Sequence, residues 1–160
     1  MVSFRTGILE WNIQAIADAL RLTPGEVQEY FTDGRRVSFV LERRLAREVV
    51  GGTLAPSEGA GFDLLDADGG KWEVRSISKG GIYFCPSYMV GSGRSFEKDG
   101  FLRKMDEILG YVVSDITLFP SIPYWIIPVD HVRDWWIQGE LGKNSKITRE
   151  KALKLIKGEG

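Results

Sequence analysis

The spacing of apolar residues changes at Gly51-Gly52, and this change constrains the fold more than any other feature of the sequence. Before it, the apolar residues of 13–20 recur at helical intervals. After it come short β-like runs separated by glycine and aspartate, at 62–65, 71–77, 81–88 and 124–129. A segment with helical spacing, 96–113, lies between the last two runs. The pattern predicts a mixed α/β (α+β) domain over residues 51–160, preceded by an N-terminal helical region over 1–50.

The N-terminal region contains a short motif typical of paired helices. Thr23-Pro24-Gly25-Glu26 combines an N-cap, a proline at the first helical position and the glutamate of a capping box. The string over 16–31 resembles a bacterial helix-turn-helix, although Arg21 stands where the turn usually has glycine. The second helix also carries Glu26 and Glu29, which would repel phosphate. We expect these helices to pack or to mediate dimerisation, with base reading as the alternative.

Composition excludes several classes of protein. The chain has one cysteine, Cys85, and one histidine, His131, so a disulfide framework, a zinc finger and any two-histidine mechanism are excluded. Any metal ion must be held by oxygen. The most apolar stretch, 118–129, is interrupted by three prolines, and the N-terminus shows no signal peptide. These features indicate a cytoplasmic protein without a membrane span.

The charges nearly balance, but they are unevenly distributed. There are 21 Lys and Arg residues against 22 Asp and Glu residues. Residues 142–160 nevertheless carry six cations against two acids, and Arg35 and Arg36 adjoin each other after Asp33. Such clusters either contact nucleic-acid phosphates or form a solvated face, and the sequence leaves both interpretations open.

The chemistry is concentrated between Gly61 and Gly81. Asp63 ends one β-like run, and after a turn at Asp68-Gly69-Gly70 the next run places Glu73 and Arg75 on one face. A tight hairpin would bring the two carboxylates together. Paired carboxylates bind Mg²⁺, which activates water and neutralises charge during phosphodiester hydrolysis, without any need for Cys or His.

The same residues resemble a known family. Asp63, the glycine turn, Glu73-Val74-Arg75 and Ser76 are similar to the motif of the PD-(D/E)xK nuclease superfamily and, within it, of small PvuII-type restriction endonucleases. The resemblance implies a restriction-endonuclease-like mixed central sheet flanked by helices. It also implies Mg²⁺ held by Asp63, Glu73 and the carbonyl of Val74. Glu58 would add a carboxylate, and Glu48 on the third helix is the other candidate.

Arg75 departs from this motif, which has lysine at that position. Arginine cannot release a proton at working pH, so it can replace lysine only in an electrostatic role. If a general base is required, another group must supply it. Lys71 and Lys79 share the strand parity of Glu73 and could reach the site. The alternative interpretation makes Asp63 and Glu73 surface acids paired with Arg75.

Residues after the catalytic strand are candidates for DNA contacts. Family members place base contacts there, which here implies Ser87, Tyr88 and Arg94, the last with a guanidinium suited to guanine. The glycine-rich turn 91–93 could equally be only a flexible turn. Four further cations are candidate DNA-binding residues: Lys71, Lys79, Arg35 and Arg36.

These observations predict a function and leave alternatives. We expect a Mg²⁺-dependent endodeoxyribonuclease, a type II restriction endonuclease that cuts double-stranded DNA as a homodimer. The alternatives are a structure-selective nuclease of the Holliday-junction-resolvase kind, a DNA-binding protein that has lost hydrolysis through Arg75, and a helix-turn-helix regulator.

Overall fold

The computed structural model describes residues 3–57 and 60–158. Its helices are α1 (Ile13–Leu20), α2 (Pro24–Phe31), α3 (Gly34–Arg44), α4 (Lys98–Glu107), α5 (Val129–Ile137) and α6 (Arg149–Lys157). Its strands are β1 (Arg5–Glu10), β2 (Thr53–Leu54), β3 (Leu64–Leu65), β4 (Lys71–Ile77), β5 (Ile82–Tyr83), β6 (Gly110–Asp115), β7 (Ser121–Pro128) and β8 (Lys146–Ile147). A π-helical turn, Leu45–Val49, extends α3.

One mixed sheet organises the described part of the chain. Its strand order is β1-β7-β6-β4-β3-β2, and β4 pairs with β6 in parallel while the other neighbours are antiparallel. A parallel pair needs a crossover connection, and the segment between β4 and β6 contains α4. A second, two-stranded sheet pairs β5 with β8.

Helices pack on both faces of this sheet. In one apolar cluster, Ala17, Val27 and Leu41 from α1 to α3 pack with Val74 and Val112 of the central strands. The other cluster joins side chains of α4, α5 and α6 to the opposite face of β4 and β6, and its members include Phe101, Met105, Tyr111, Val113, Val132 and Ile156. The prediction of a mixed α/β fold with a central mixed sheet between helices is confirmed.

Helix α2 begins where the sequence predicts. Thr23 Oγ1 accepts a hydrogen bond of 3.1 Å from the Glu26 N–H, and Glu26 Oε1 accepts one of 2.9 Å from the Thr23 N–H. Arg21 ends α1 with φ of 59°, the left-handed conformation that glycine adopts most easily. Strand β1, however, was not predicted. Leu9 is its only buried residue, so its sequence shows no clear alternation of apolar and polar residues.

The segment predicted as one helix over 96–113 contains two elements. Helix α4 ends at Glu107, and β6 begins at Gly110. Every residue of β6 is buried, so the strand lacks the polar alternation that distinguishes a strand from a buried helix. The predicted run 81–88 is also shorter, with strand only at Ile82–Tyr83. No helix of the described residues is long and apolar enough to span a membrane.

Candidate active site

A cleft of about 940 Å³ lies beside β4. Helix α3 contributes Glu42 to its lining, the loop before β3 contributes Asp63, and α4 contributes Lys104. Strand β4 supplies Glu73 and Arg75 from one face. The cleft therefore collects ionisable side chains from separate elements, and the sheet topology is what brings them together.

A hydrogen-bonded turn joins the strands of the β3–β4 hairpin. Asp66 Oδ1 accepts hydrogen bonds from the N–H groups of Asp68 and Gly70, and its Oδ2 accepts one of 2.8 Å from Trp72 Nε1. These bonds, led by that from Trp72, hold the pKa of Asp66 below its ordinary value. The hairpin places Asp63 beside β4, where its Oδ2 accepts a hydrogen bond of 2.8 Å from the Val74 N–H.

Arg75 lies at the centre of the predicted residues. Its Nη1 is 2.8 Å from Glu73 Oε2 and 3.7 Å from Asp63 Oδ2. The same nitrogen donates a hydrogen bond of 2.8 Å to the Val74 carbonyl, and Nη2 donates one of 2.9 Å to the Cys85 carbonyl. The three groups assigned to metal binding thus surround one guanidinium nitrogen, so the predicted convergence of Asp63 and Glu73 is present in the structure.

The electrostatics of this cluster follow from burial. Arg75 is only 7% exposed and Glu73 only 5%. Burial raises the pKa of Glu73, while the cations of Arg75 and Lys104 oppose that rise. Burial also lowers the pKa of Arg75, but the carboxylates of Glu73 and Asp63 outweigh it and leave that pKa raised. Arg75 is therefore a permanent positive charge inside the cleft.

Lys104 is a second cation in the cleft, and sequence reasoning missed it. Its Nζ lies 3.2 Å from Glu73 Oε1, and it also donates to the Gly61 carbonyl. The side chain is 10% exposed. The lysines that the sequence suggested do not line the cleft: Lys71 is exposed with its Nζ 5.3 Å from the Phe62 ring, and Lys79 is exposed in the turn after β4.

Glu42 is a further carboxylate in the lining of the cleft, which also includes Asp33, and it was also missed. Burial, reinforced by the charge of Asp63, raises its pKa to about 7. The acid that the sequence suggested from this part of the chain, Glu48, instead pairs with Arg44 at 3.0 Å outside the cleft. The other suggested acid, Glu58, lies outside the described residues.

The cleft offers ligand atoms of the chemical type that a hard divalent cation prefers. The carboxylates of Glu42, Asp63 and Glu73 and the carbonyl of Val74 offer only oxygen, which is what Mg²⁺ prefers. As the side chains stand, however, no cluster of three or more Asp, Glu, His or Cys groups in residues 3–57 and 60–158 converges on one point. Arg75 Nη1 is in contact with the oxygens of Glu73 and Val74 that an ion would use.

The predicted DNA-binding residues lie in different places. Ser87 and Tyr88 line the cleft, and Tyr88 is 56% exposed. Arg94 is exposed and donates hydrogen bonds to the carbonyls of Ser87 and Val90, both at 3.3 Å, so it stabilises this loop.

Arg36 lies on α3, 4.0 Å from Asp33 and with its guanidinium 4.8 Å from the Tyr30 ring centre. The side chain of Arg35 lies outside the described residues.

Comparison with known proteins adds no further information about the site. No protein-family model, no curated protein and no solved structure matches this chain.

Proposed function

We propose that this chain is a Mg²⁺-dependent DNA endonuclease of the restriction type. The observation that carries the proposal is the convergence of Asp63, Glu73 and the Val74 carbonyl on one point of a cleft that also holds Glu42 and Lys104. Asp63 and Glu73 are the two acids of the motif that resembles the PD-(D/E)xK nucleases. The strand and helix order around them agrees with the mixed sheet that the resemblance implies.

The chain's own residues divide the work of hydrolysis. Asp63, Glu73 and the Val74 carbonyl would hold Mg²⁺, and Glu42 offers a further carboxylate from α3. When bound, the ion supplies an activated water and offsets the charge that develops on the phosphate. Lys104 adds a compact ammonium beside Glu73, the kind of charge that Arg75 cannot provide.

Double-stranded DNA is the proposed substrate. Ser87 and Tyr88 lie on the cleft and can contact base edges, while Arg94 holds their loop in place. Cutting both strands of a palindromic target requires two clefts related by a two-fold axis, so we propose a homodimer. A structure-selective junction nuclease would use the same residues on a different DNA geometry.

One observation favours a second candidate function. Arg75 already satisfies the oxygens of Glu73 and Val74 from within the protein. A chain in which this contact were permanent would bind DNA in the cleft and leave it uncut. The second candidate is therefore a non-catalytic DNA-binding protein with the same fold.

Plasmid cleavage separates the two candidates. The purified protein is incubated with supercoiled DNA in Mg²⁺, in Mn²⁺ and in EDTA, and DNA affinity is measured in parallel by fluorescence anisotropy. We expect discrete fragments with a divalent ion and none in EDTA. DNA binding without cleavage in either metal would favour the non-catalytic candidate.

Variants assign the cleavage to this cleft. Asp63→Asn and Glu73→Gln each remove one metal-binding charge at constant size, so we expect roughly 10²-fold slower cleavage or more, with DNA affinity within about threefold. Asp106→Asn is the matched control, because Asp106 is 67% exposed and pairs with Arg133 on the surface. Cleavage at the wild-type rate by Asp63→Asn would reject the site.

A further inference from the structure

The position of Arg75 has a consequence for how a metal ion enters the cleft. One nitrogen, Nη1, contacts Glu73 Oε2 and the Val74 carbonyl at 2.8 Å each and lies 3.7 Å from Asp63 Oδ2. These are hydrogen-bond and ion-pair distances. A divalent ion held by the same oxygens would overlap this nitrogen.

We infer that the Arg75 guanidinium is a resident cation that holds the metal position, and that a divalent ion binds only when this side chain withdraws. This inference rests on the proposed function for the identity of the ligands. The guanidinium already supplies one unit of positive charge to the carboxylates. An ion that arrived without displacing it would face that charge at close range.

One of the N–H groups of the Arg75 guanidinium makes no hydrogen bond to the described residues, which favours movement of this side chain away from the metal position. Its Nε is buried and has no hydrogen-bond partner in the described part of the chain. An unpaired buried donor costs free energy that a new position could recover. The guanidinium carbon lies 5.2 Å from the centre of the Tyr83 ring, which also lines the cleft. Rotation towards that ring would keep the cation on an aromatic face.

The inference predicts that removal of the guanidinium strengthens metal binding. Mn²⁺ is titrated into the full chain without DNA, and the free ion is measured by electron paramagnetic resonance. We expect Arg75→Met to bind Mn²⁺ at least about tenfold more tightly than the wild type, because one positive charge leaves the site. The double variant Arg75→Met, Asp63→Asn should lose that gain.

A matched control tests whether any lost arginine has this effect. Arg133 is half-buried, pairs with the exposed Asp106 at 3.0 Å and does not line the cleft, so Arg133→Met should keep the wild-type Mn²⁺ affinity. If Arg75→Met does not unfold cooperatively, Arg75→Lys takes its place. Its shorter side chain and single ammonium cannot contact all three oxygens, and we expect roughly threefold tighter binding.

The wild-type chain gives an independent measurement. With ¹⁵N-labelled arginine, the Nε–H signal of Arg75 should move during Mg²⁺ titration with the same midpoint as metal binding. Saturation with Mg²⁺ while this signal stays fixed would overturn the inference, and so would unchanged Mn²⁺ affinity in a folded Arg75 variant.

Failure of the inference and failure of the proposed function give different results. If Arg75→Met binds Mn²⁺ more tightly but the protein does not cut plasmid DNA, the inference about Arg75 is supported and the proposed nuclease activity is rejected. If the protein cuts plasmid DNA in a metal-dependent way but Arg75→Met has the wild-type Mn²⁺ affinity, the nuclease activity is supported and the inference about Arg75 is rejected.

Discussion

The carboxyl group of Glu42 shows how the cleft changes the chemistry of a single residue. Its pKa is about 7 in the folded chain against an ordinary value of 4.5. Between these values the folded chain binds a proton that the unfolded chain has released. The free energy of unfolding contributed by this group therefore falls as the pH rises from 4.5 to 7.

Glu42→Gln should accordingly stabilise the protein at high pH. At pH 5 the wild-type carboxyl is protonated when folded, so the variant should differ little. At pH 8 the wild type must hold a charged carboxylate near Asp63, and we expect the variant to gain roughly 1 to 2 kcal/mol, reduced from the full effect by partial exposure. Urea unfolding at the two pH values measures the difference.

The exposed Glu29 on α2 provides the control. Glu29→Gln removes an acid of the same size outside the cleft, and it measures at each pH what the loss of an exposed carboxylate does to the free energy of unfolding. If Glu42→Gln changed the free energy of unfolding equally at pH 5 and pH 8, the raised pKa would be rejected.

Some residues of the site could be predicted and others could not. Asp63, Glu73 and Arg75 lie close in sequence on a hairpin, and strand parity alone places two of them on one face. Glu42 and Lys104 come from helices, and only the packing of α3 and α4 brings them to β4. The one available sequence signal was the position of Glu42 directly beside Leu41, which is buried in the core.

At the scale of elements, the pairing of β6 with its neighbours determines where α4 and Lys104 lie. Gly110 begins β6 between two close neighbours: a Cβ added there would lie 2.3 Å from the Ile127 carbonyl oxygen and 2.8 Å from the Trp72 ring. Only glycine allows the strands to approach so closely. The residue therefore fixes the register on both sides of β6.

Gly110→Ala should destabilise the fold by roughly 2 to 4 kcal/mol, because backbone and ring must both shift to admit a methyl group. Urea unfolding monitored by tryptophan fluorescence measures the change. Gly25→Ala is the matched control, since in α2 its nearest neighbour would be Thr23 Oγ1 at 3.9 Å. That substitution should stabilise by a few tenths to about 1 kcal/mol. Equal effects of the two variants would contradict this role for Gly110.

Elements with a clear periodic or capping pattern in the sequence could be predicted, whereas strands without such a pattern could not. Strand β4 has the predicted bounds, and the capping box fixes the start of α2. Strand β6 is buried on both faces, so hydrophobicity carries no periodic signal there. Strand β1 is paired on one side only and mostly exposed, so its sequence had little to distinguish it from a loop.

Across the whole molecule, a net charge of −1 means that the proposed DNA affinity must come from local groups of cations. Several cations of the basic C-terminal segment are neutralised internally: Arg149 pairs with Asp115, and Lys151 pairs with Glu140. Lys146 on β8 is exposed, lines the cleft and has no carboxylate within ion-pair distance among the described residues.

Lys146→Gln should therefore reduce the salt dependence of DNA binding. Loss of one phosphate contact lowers the slope of log affinity against log salt by about 0.9. Fluorescence anisotropy with duplex DNA across a range of salt concentrations measures that slope. Lys151→Gln, with its lysine already paired to Glu140, should leave the slope unchanged. An equal loss of slope in both variants would indicate general attraction to the C-terminal segment.

The edge position of β1 has a consequence for the newly made chain. Arg5–Glu10 pairs with Ser121–Ile126, so β1 leaves the ribosome before its partner strand, which is made about 110 residues later. At ordinary rates of translation this interval lasts roughly 5 to 20 s. During it the hydrogen-bonding groups of β1 stay open to chaperones or to other nascent chains.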